Sequence, residues 1–78
     1  MKPGDLVRIK STTWLYGGDT QAWDEWDNFI PTDIPAEFNT TATIISKIMD
    51  KRYRIYLKIL TPLGGVGWLH ESFLEVLQ

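Results

Sequence analysis

Alternating apolar and polar residues mark several short segments of the chain, and each of them predicts a β-strand. The first runs from Leu6 to Lys10, with Val7 and Ile9 on one face and Arg8 and Lys10 on the other. An alternation of this kind is typical of a strand that packs one face on a core. We therefore expect Val7 and Ile9 to be buried.

The middle of the chain predicts a β-hairpin. Thr40 to Ile48 is β-branched and apolar and predicts the second strand, the dipeptide Asp50-Lys51 predicts a tight turn, and Arg52 to Leu60 predicts the third strand. The alternation in the third strand places Tyr53, Ile55, Leu57 and Ile59 on the core face and Arg52, Arg54, Tyr56 and Lys58 on the solvent face.

The C-terminal part predicts two more strands. A turn over residues 61–65 leads into a strand from Val66 to His70, and Glu71-Ser72-Phe73 predicts a 3₁₀ turn before a last strand from Leu74 to Leu77. Five short strands joined by hairpins favour an all-β domain over residues 1–78 that closes on itself as a barrel and so limits exposed strand edges.

Residues 11–39 break this regular pattern. Gly17-Gly18, Pro31 and Pro35 interrupt it, and six acidic residues with no basic one fall between Asp19 and Glu37. Large aromatic rings are spread through the same stretch: Trp14, Tyr16, Trp23, Trp26 and Phe29. Because disordered segments are poor in aromatics, we expect a long, ordered aromatic-acidic loop with one helical turn near Gln21 to Asn28.

The amino-acid composition excludes several classes of protein. The 78 residues are 44% hydrophobic, enough for one small core, and the net charge is −2. The chain has no cysteine, which excludes disulfides and thiolate metal sites, and no motif indicates a metal or a cofactor. No apolar stretch approaches the roughly 20 residues of a membrane span, and no signal peptide pattern is present, so we expect a soluble, cytoplasmic protein with no membrane contact.

The C-terminal sequence Gly67-Trp68-Leu69-His70-Glu71-Ser72-Phe73-Leu74-Glu75-Val76-Leu77 resembles the end of an SH3 domain. The resemblance implies a five-stranded SH3-like barrel with Leu69 and Leu74 in its core. It also implies that Trp68, His70, Ser72 and Phe73 line the position of the ligand groove. His70, Ser72 and Phe73 replace the proline, asparagine and tyrosine of proline-binding members. The chain is also similar to prokaryotic and phage SH3-like proteins and to small SH3-like subunits of photosynthetic complexes, which dock onto a larger protein.

These features predict a non-catalytic protein-interaction module, an accessory or adaptor protein of phage or bacterial origin that is a monomer or a weak homo-oligomer. Exposed aromatics would bury apolar area against a protein partner, and loop carboxylates would attract a basic one. The expected contact residues are Trp14, Tyr16, Trp23, Trp26, Trp68, His70, Phe73, Asp24 and Asp27. A structural interpretation of the loop has equal weight: its aromatic rings would cover the core of a small barrel and not contact a partner.

Nucleic-acid binding and catalysis are the two alternative functions. The solvent face of the third strand combines cations with an aromatic ring, as nucleic-acid-binding barrels do; its residues are Arg52, Arg54, Tyr56 and Lys58. The sequence pI of about 5.1 opposes phosphate binding, because the protein as a whole is acidic. Catalysis would have to use His70, the only histidine, with Ser72 or a threonine as the nucleophile. Since nothing in the sequence places a carboxylate to orient the imidazole, we expect no enzymatic activity.

Overall fold

The computed structural model of the protein describes residues 1–17, 30–50 and 52–77. Its regular elements within these ranges are β1 Leu6–Ile9, β2 Thr13–Gly17, β3 Ile30–Ala36, β4 Thr41–Met49, β5 Ile55–Leu60, β6 Val66–His70, the 3₁₀ turn Glu71–Phe73 and β7 Leu74–Val76. The predicted all-β class is confirmed. None of the described residues form a helix that is long and apolar enough to cross a membrane.

The seven strands form one antiparallel sheet in the order β3-β2-β6-β5-β4-β1-β7. β3 and β7 lie at the two edges, and in the described part of the chain no backbone pairing joins them. The prediction of five strands is therefore wrong, and the observed pairings show an open sheet and not a closed barrel.

One face of every strand contributes to a single hydrophobic core. The fully or almost fully buried members are Val7, Ile9, Leu15, Ala36, Ala42, Ile44, Leu57, Ile59, Leu69 and Leu74. Because residues from both edge strands belong to this cluster, the sheet curls around the face that carries it. The predicted core positions Val7, Ile9, Leu69 and Leu74 are confirmed.

The predicted boundaries agree closely with the structure for four strands and for the 3₁₀ turn. The first strand ends one residue early, the second is displaced by one residue, the segment Val66–His70 and the 3₁₀ turn match residue for residue, and the last strand ends one residue early. The first two strands have alternating or β-branched residues, which is the strongest local signal for a strand, and Val66–His70 follows a turn over residues 61–65.

The predicted loop over residues 11–39 contains two strands, and this corrects the sequence interpretation. β2 and β3 form a hairpin in which Trp14 lies opposite Pro35 and Tyr16 lies opposite Pro31. β3 is an edge strand and pairs with β2 alone among the described strands. Because no described strand lies on its other side, a proline there, which has no N–H group, removes no hydrogen bond to a second neighbour. The helical turn expected near Gln21 to Asn28 lies outside the described residues.

The turn between β4 and β5 is longer than the predicted Asp50-Lys51 turn. The Asp50 N–H donates to the Arg54 carbonyl and the Tyr53 N–H donates to the Asp50 carbonyl, both at 2.9 Å, so β5 begins only at Ile55. Tyr53 was expected on the core face of a strand. That expectation is wrong, since Tyr53 has φ 63° and is 79% exposed at the turn.

We expect Tyr53→Asn to stabilise the fold by about 1 kcal/mol, because the left-handed backbone conformation costs a non-glycine residue roughly 1–2 kcal/mol and asparagine tolerates it best. The exposed tyrosine ring loses little packing when it is removed. Thermal unfolding followed by circular dichroism would show a rise in Tm of about 4 °C or more. Tyr53→Ala is the matched control: it removes the ring but keeps the strain, and an equal rise in that variant would refute the explanation.

Candidate functional site

A groove of about 310 Å³ lies where β2, β5, β6 and the 3₁₀ turn meet. Its lining residues are Tyr16, Arg54, Tyr56, Leu69, His70 and Phe73. The sheet register brings these elements together, because Tyr56 lies opposite His70 and Tyr16 lies opposite Trp68. Residues that are far apart in the sequence thus share one concave surface.

Aromatic and cationic groups pack against one another inside the groove. The rings of Tyr56 and His70 meet edge to face, with centroids 5.2 Å apart and planes at 73°. The Arg54 guanidinium carbon lies 5.8 Å from the centre of the Tyr56 ring, within the range of a cation–π contact. Tyr56 therefore contacts both Arg54 and His70.

Tyr56 and Trp68 form a second hydrophobic cluster, with Tyr16 and Ile48 packed against it. Each of the two residues is only 2% exposed. The expected exposure of Trp68 is therefore wrong, and so is the prediction that Tyr56 lies on a solvent face. β5 and β6 carry buried side chains on both of their faces. Strand alternation predicts only one buried face for each strand, so it does not predict this arrangement.

The buried carboxylate of Asp50 organises the turn that carries Arg54. Its Oδ1 accepts the backbone N–H groups of Arg52 and Arg54, each at 2.9 Å, and its Oδ2 accepts Arg54 Nε at 2.6 Å. Burial raises the pKa of this carboxyl, but the hydrogen bonds from Arg54 and Arg52 outweigh burial and hold the pKa below its ordinary value. Asp50 is thus ionised and keeps the Arg54 side chain in one orientation.

His70 caps the 3₁₀ turn with its ring. Its Nδ1 accepts the backbone N–H of Ser72 at 3.1 Å and lies 2.8 Å from Ser72 Oγ. Because Nδ1 is an acceptor, this hydrogen-bond pattern places the hydrogen of the neutral ring on Nε2. The short contact to Ser72 is a local cap, and no carboxylate of a described residue hydrogen-bonds to the imidazole to complete a catalytic triad.

The structure brings together only some of the predicted contact residues. Tyr16, His70 and Phe73 line the groove, whereas Trp14 is 52% exposed on β2 and is not among the lining residues. Trp23, Asp24, Trp26 and Asp27 lie outside the described residues. Asp50 was missed, although an aspartate that starts a turn between two strands commonly accepts backbone N–H groups two residues further on.

The four residues predicted for nucleic-acid binding do not form one exposed surface. Arg52 is exposed and Lys58 is half-buried, but Arg54 is bonded to Asp50 and Tyr56 is buried. Base stacking needs an accessible aromatic face, which Tyr56 does not offer. Within the described ranges, no three histidine or acidic side chains lie close enough together to hold a metal ion.

Comparison with known proteins gives no relative from which a function could be transferred. No protein-family model matches the chain, and neither the curated proteins nor the solved structures contain a match to it.

Proposed function

We propose that this protein is a non-catalytic protein-interaction module, an accessory or adaptor protein that binds an extended segment of a partner in the groove between β2, β5, β6 and the 3₁₀ turn. The observation that carries the proposal is the convergence of Tyr16, Arg54, Tyr56, His70 and Phe73 on one concave surface.

The chemistry of the groove supports this proposal. Tyrosine and arginine are enriched at the energetic centres of protein interfaces, where they combine apolar area with hydrogen bonding. At about 310 Å³ the groove is at the small end of ligand sites, which suits a few side chains of a partner better than a large cofactor. The SH3-like resemblance supports the same surface, because it puts His70, Ser72 and Phe73 at the ligand groove.

The acidic-aromatic segment remains part of the proposal from its sequence. Asp24 and Asp27 would attract basic groups of the partner, and Trp23 and Trp26 would add apolar contact area. A partner that carries both basic and acidic groups would bind the acidic-aromatic segment and the groove at the same time.

We expect Phe73→Ala to weaken peptide binding about tenfold, because it removes an aromatic wall of the groove. The measurement is the Kd of a peptide that the wild-type protein selects from a displayed library of random 12-residue peptides. Phe38→Ala is the matched control, since Phe38 is 63% exposed and is not a lining residue of the groove. Equal Kd values for the wild type and the Phe73→Ala protein would contradict the proposal.

Two further measurements guard against a folding artefact, because Phe73 also packs against the core. His70→Asn keeps an acceptor for the Ser72 N–H but removes the imidazole from the groove, and we expect it to fold and to bind more weakly. Amide chemical shifts in the wild-type protein would locate the peptide without any substitution. Shifts confined to Arg52 and Lys58, with salt-sensitive competition by a single-stranded oligonucleotide, would instead support nucleic-acid binding.

A further inference from the structure

Arg54 is the one cationic side chain among the described residues that line the groove, and those residues leave part of its hydrogen-bonding capacity unused. A guanidinium has five N–H donors. Its Nε donates to Asp50 Oδ2, and no hydrogen bond joins its Nη1 or Nη2 to another described residue. The side chain is 37% exposed, so these Nη groups are within reach of a ligand.

The orientation of Arg54 is fixed before any ligand arrives. The Asp50 carboxylate that holds Nε is completely inaccessible, and the guanidinium lies over the Tyr56 ring at 5.8 Å. A donor that is already immobilised loses less conformational entropy on binding than a free arginine would. The arrangement therefore favours a planar acceptor that takes two parallel N–H groups, which is the geometry of a carboxylate.

The rest of the groove also favours an anionic group. No acidic side chain is among its described lining residues, and His70 presents Nε2 as a second donor because Nδ1 is occupied by Ser72. Nucleic acid is the less suitable ligand, because it is bound through several cations along a backbone, and the described lining residues of the groove include only one cation, Arg54.

We propose that the groove recognises an acidic peptide segment, in which a carboxylate side chain binds the Nη groups of Arg54 while a neighbouring apolar side chain packs on Phe73. This inference rests on the proposed function and adds to it the chemical class of the ligand. Arg54 is then the residue that determines specificity, and Asp50 is the residue that positions it.

The test uses the same displayed library of random 12-residue peptides. We expect the peptides selected by the wild-type protein to share an aspartate or glutamate at a fixed distance from an apolar residue. Replacing that acid with its amide in a synthetic peptide should raise the Kd about tenfold. This substitution leaves the protein unchanged, so a loss of folding cannot account for it.

A protein variant links the acid to Arg54. Arg54→Lys keeps a positive charge beside Asp50 but loses the planar fork, and it should also raise the Kd about tenfold. If the two groups contact each other, combining Arg54→Lys with the amide peptide should cost little more than either change alone. Additive losses, or selected peptides without a shared acid, would overturn the inference.

The outcomes separate this inference from the proposed function. Peptides that depend on Phe73 but carry no shared acid would refute the acidic ligand and leave the interaction module intact. Failure of the library to yield peptides that depend on Phe73 and His70 would refute both. Displacement of a selected peptide by a single-stranded oligonucleotide, with a steep dependence on salt, would replace both with nucleic-acid binding.

Discussion

Gly67→Ala is expected to lower the free energy of unfolding by about 3 kcal/mol, at the upper end of the cost of overpacking a core. A Cβ atom at this position would lie 2.6 Å from Leu15 Cβ and 3.1 Å from the Tyr16 carbonyl oxygen. Leu15 is fully buried and Tyr16 is in the strand that pairs with β6, so neither group can rotate away. The clash can be relieved only by separating β2 from β6.

Urea denaturation of the wild-type and Gly67→Ala proteins measures this loss, and the Tm should fall by about 15 °C. Gly17→Ala is the matched control, because its nearest neighbour among the described residues is a side-chain methyl group, Thr32 Cγ2, at 3.3 Å. That group can shift by a few tenths of an ångström, so we expect a cost below about 1 kcal/mol. Equal losses in the two variants would show that the β2–β6 contact is not the cause.

The same contact links the core to the groove. Tyr16 follows Leu15 directly, so a displacement of β2 that accommodates a larger residue at position 67 also moves the Tyr16 wall of the groove. The close approach of two strands at a glycine therefore supports both the packing of Leu15 and the shape of the candidate site.

The parts of the fold that could be predicted are those whose signal is local. β4 is predicted by its β-branched and apolar residues, β6 by the turn over residues 61–65 that precedes it, and Glu71–Phe73 by its position between two apolar strands. β3 could not be found this way, because only Ala36 among its seven residues is buried and two of the others are prolines. An edge strand with one buried residue has almost no periodic pattern to read.

The candidate site was predictable only in part, for a related reason. His70 and Phe73 follow from one continuous C-terminal sequence. Arg54 and Tyr56 were assigned to a solvent face, because strand alternation gives each residue a face but does not say whether that face is covered. Tyr56 is buried by tertiary packing beside Trp68, and Arg54 is placed by a turn whose left-handed residue, Tyr53, is one that local preference disfavours.

Asp50→Ala is expected to lower the Tm by on the order of 10 °C at neutral pH, since it leaves three donors of the β4–β5 turn without their acceptor. The turn then no longer holds Arg54 in place, so we expect peptide binding to weaken together with stability. Differential scanning calorimetry and the peptide Kd measure the two effects. A variant with unchanged Tm would show that the carboxylate does not organise the turn.

The pH dependence of stability tests the charge of Asp50 separately from its shape. The pKa of Asp50 is lower in the folded state than in the unfolded state. The contribution of Asp50 to the free energy of unfolding is therefore fully present above the unfolded-state pKa of about 3.9, and it is lost as the pH falls through the folded-state pKa. Asp50→Asn should therefore be less stable than the wild type at pH 7, and the difference should shrink as the pH drops below about 4. Asp5→Asn is the matched control: a hydrogen bond from the exposed Lys2 side chain lowers the pKa of Asp5, so the same convergence should occur with a smaller amplitude. A gap between Asp50→Asn and wild type that stays constant down to pH 2 would mean that the ionised carboxylate contributes nothing beyond its shape.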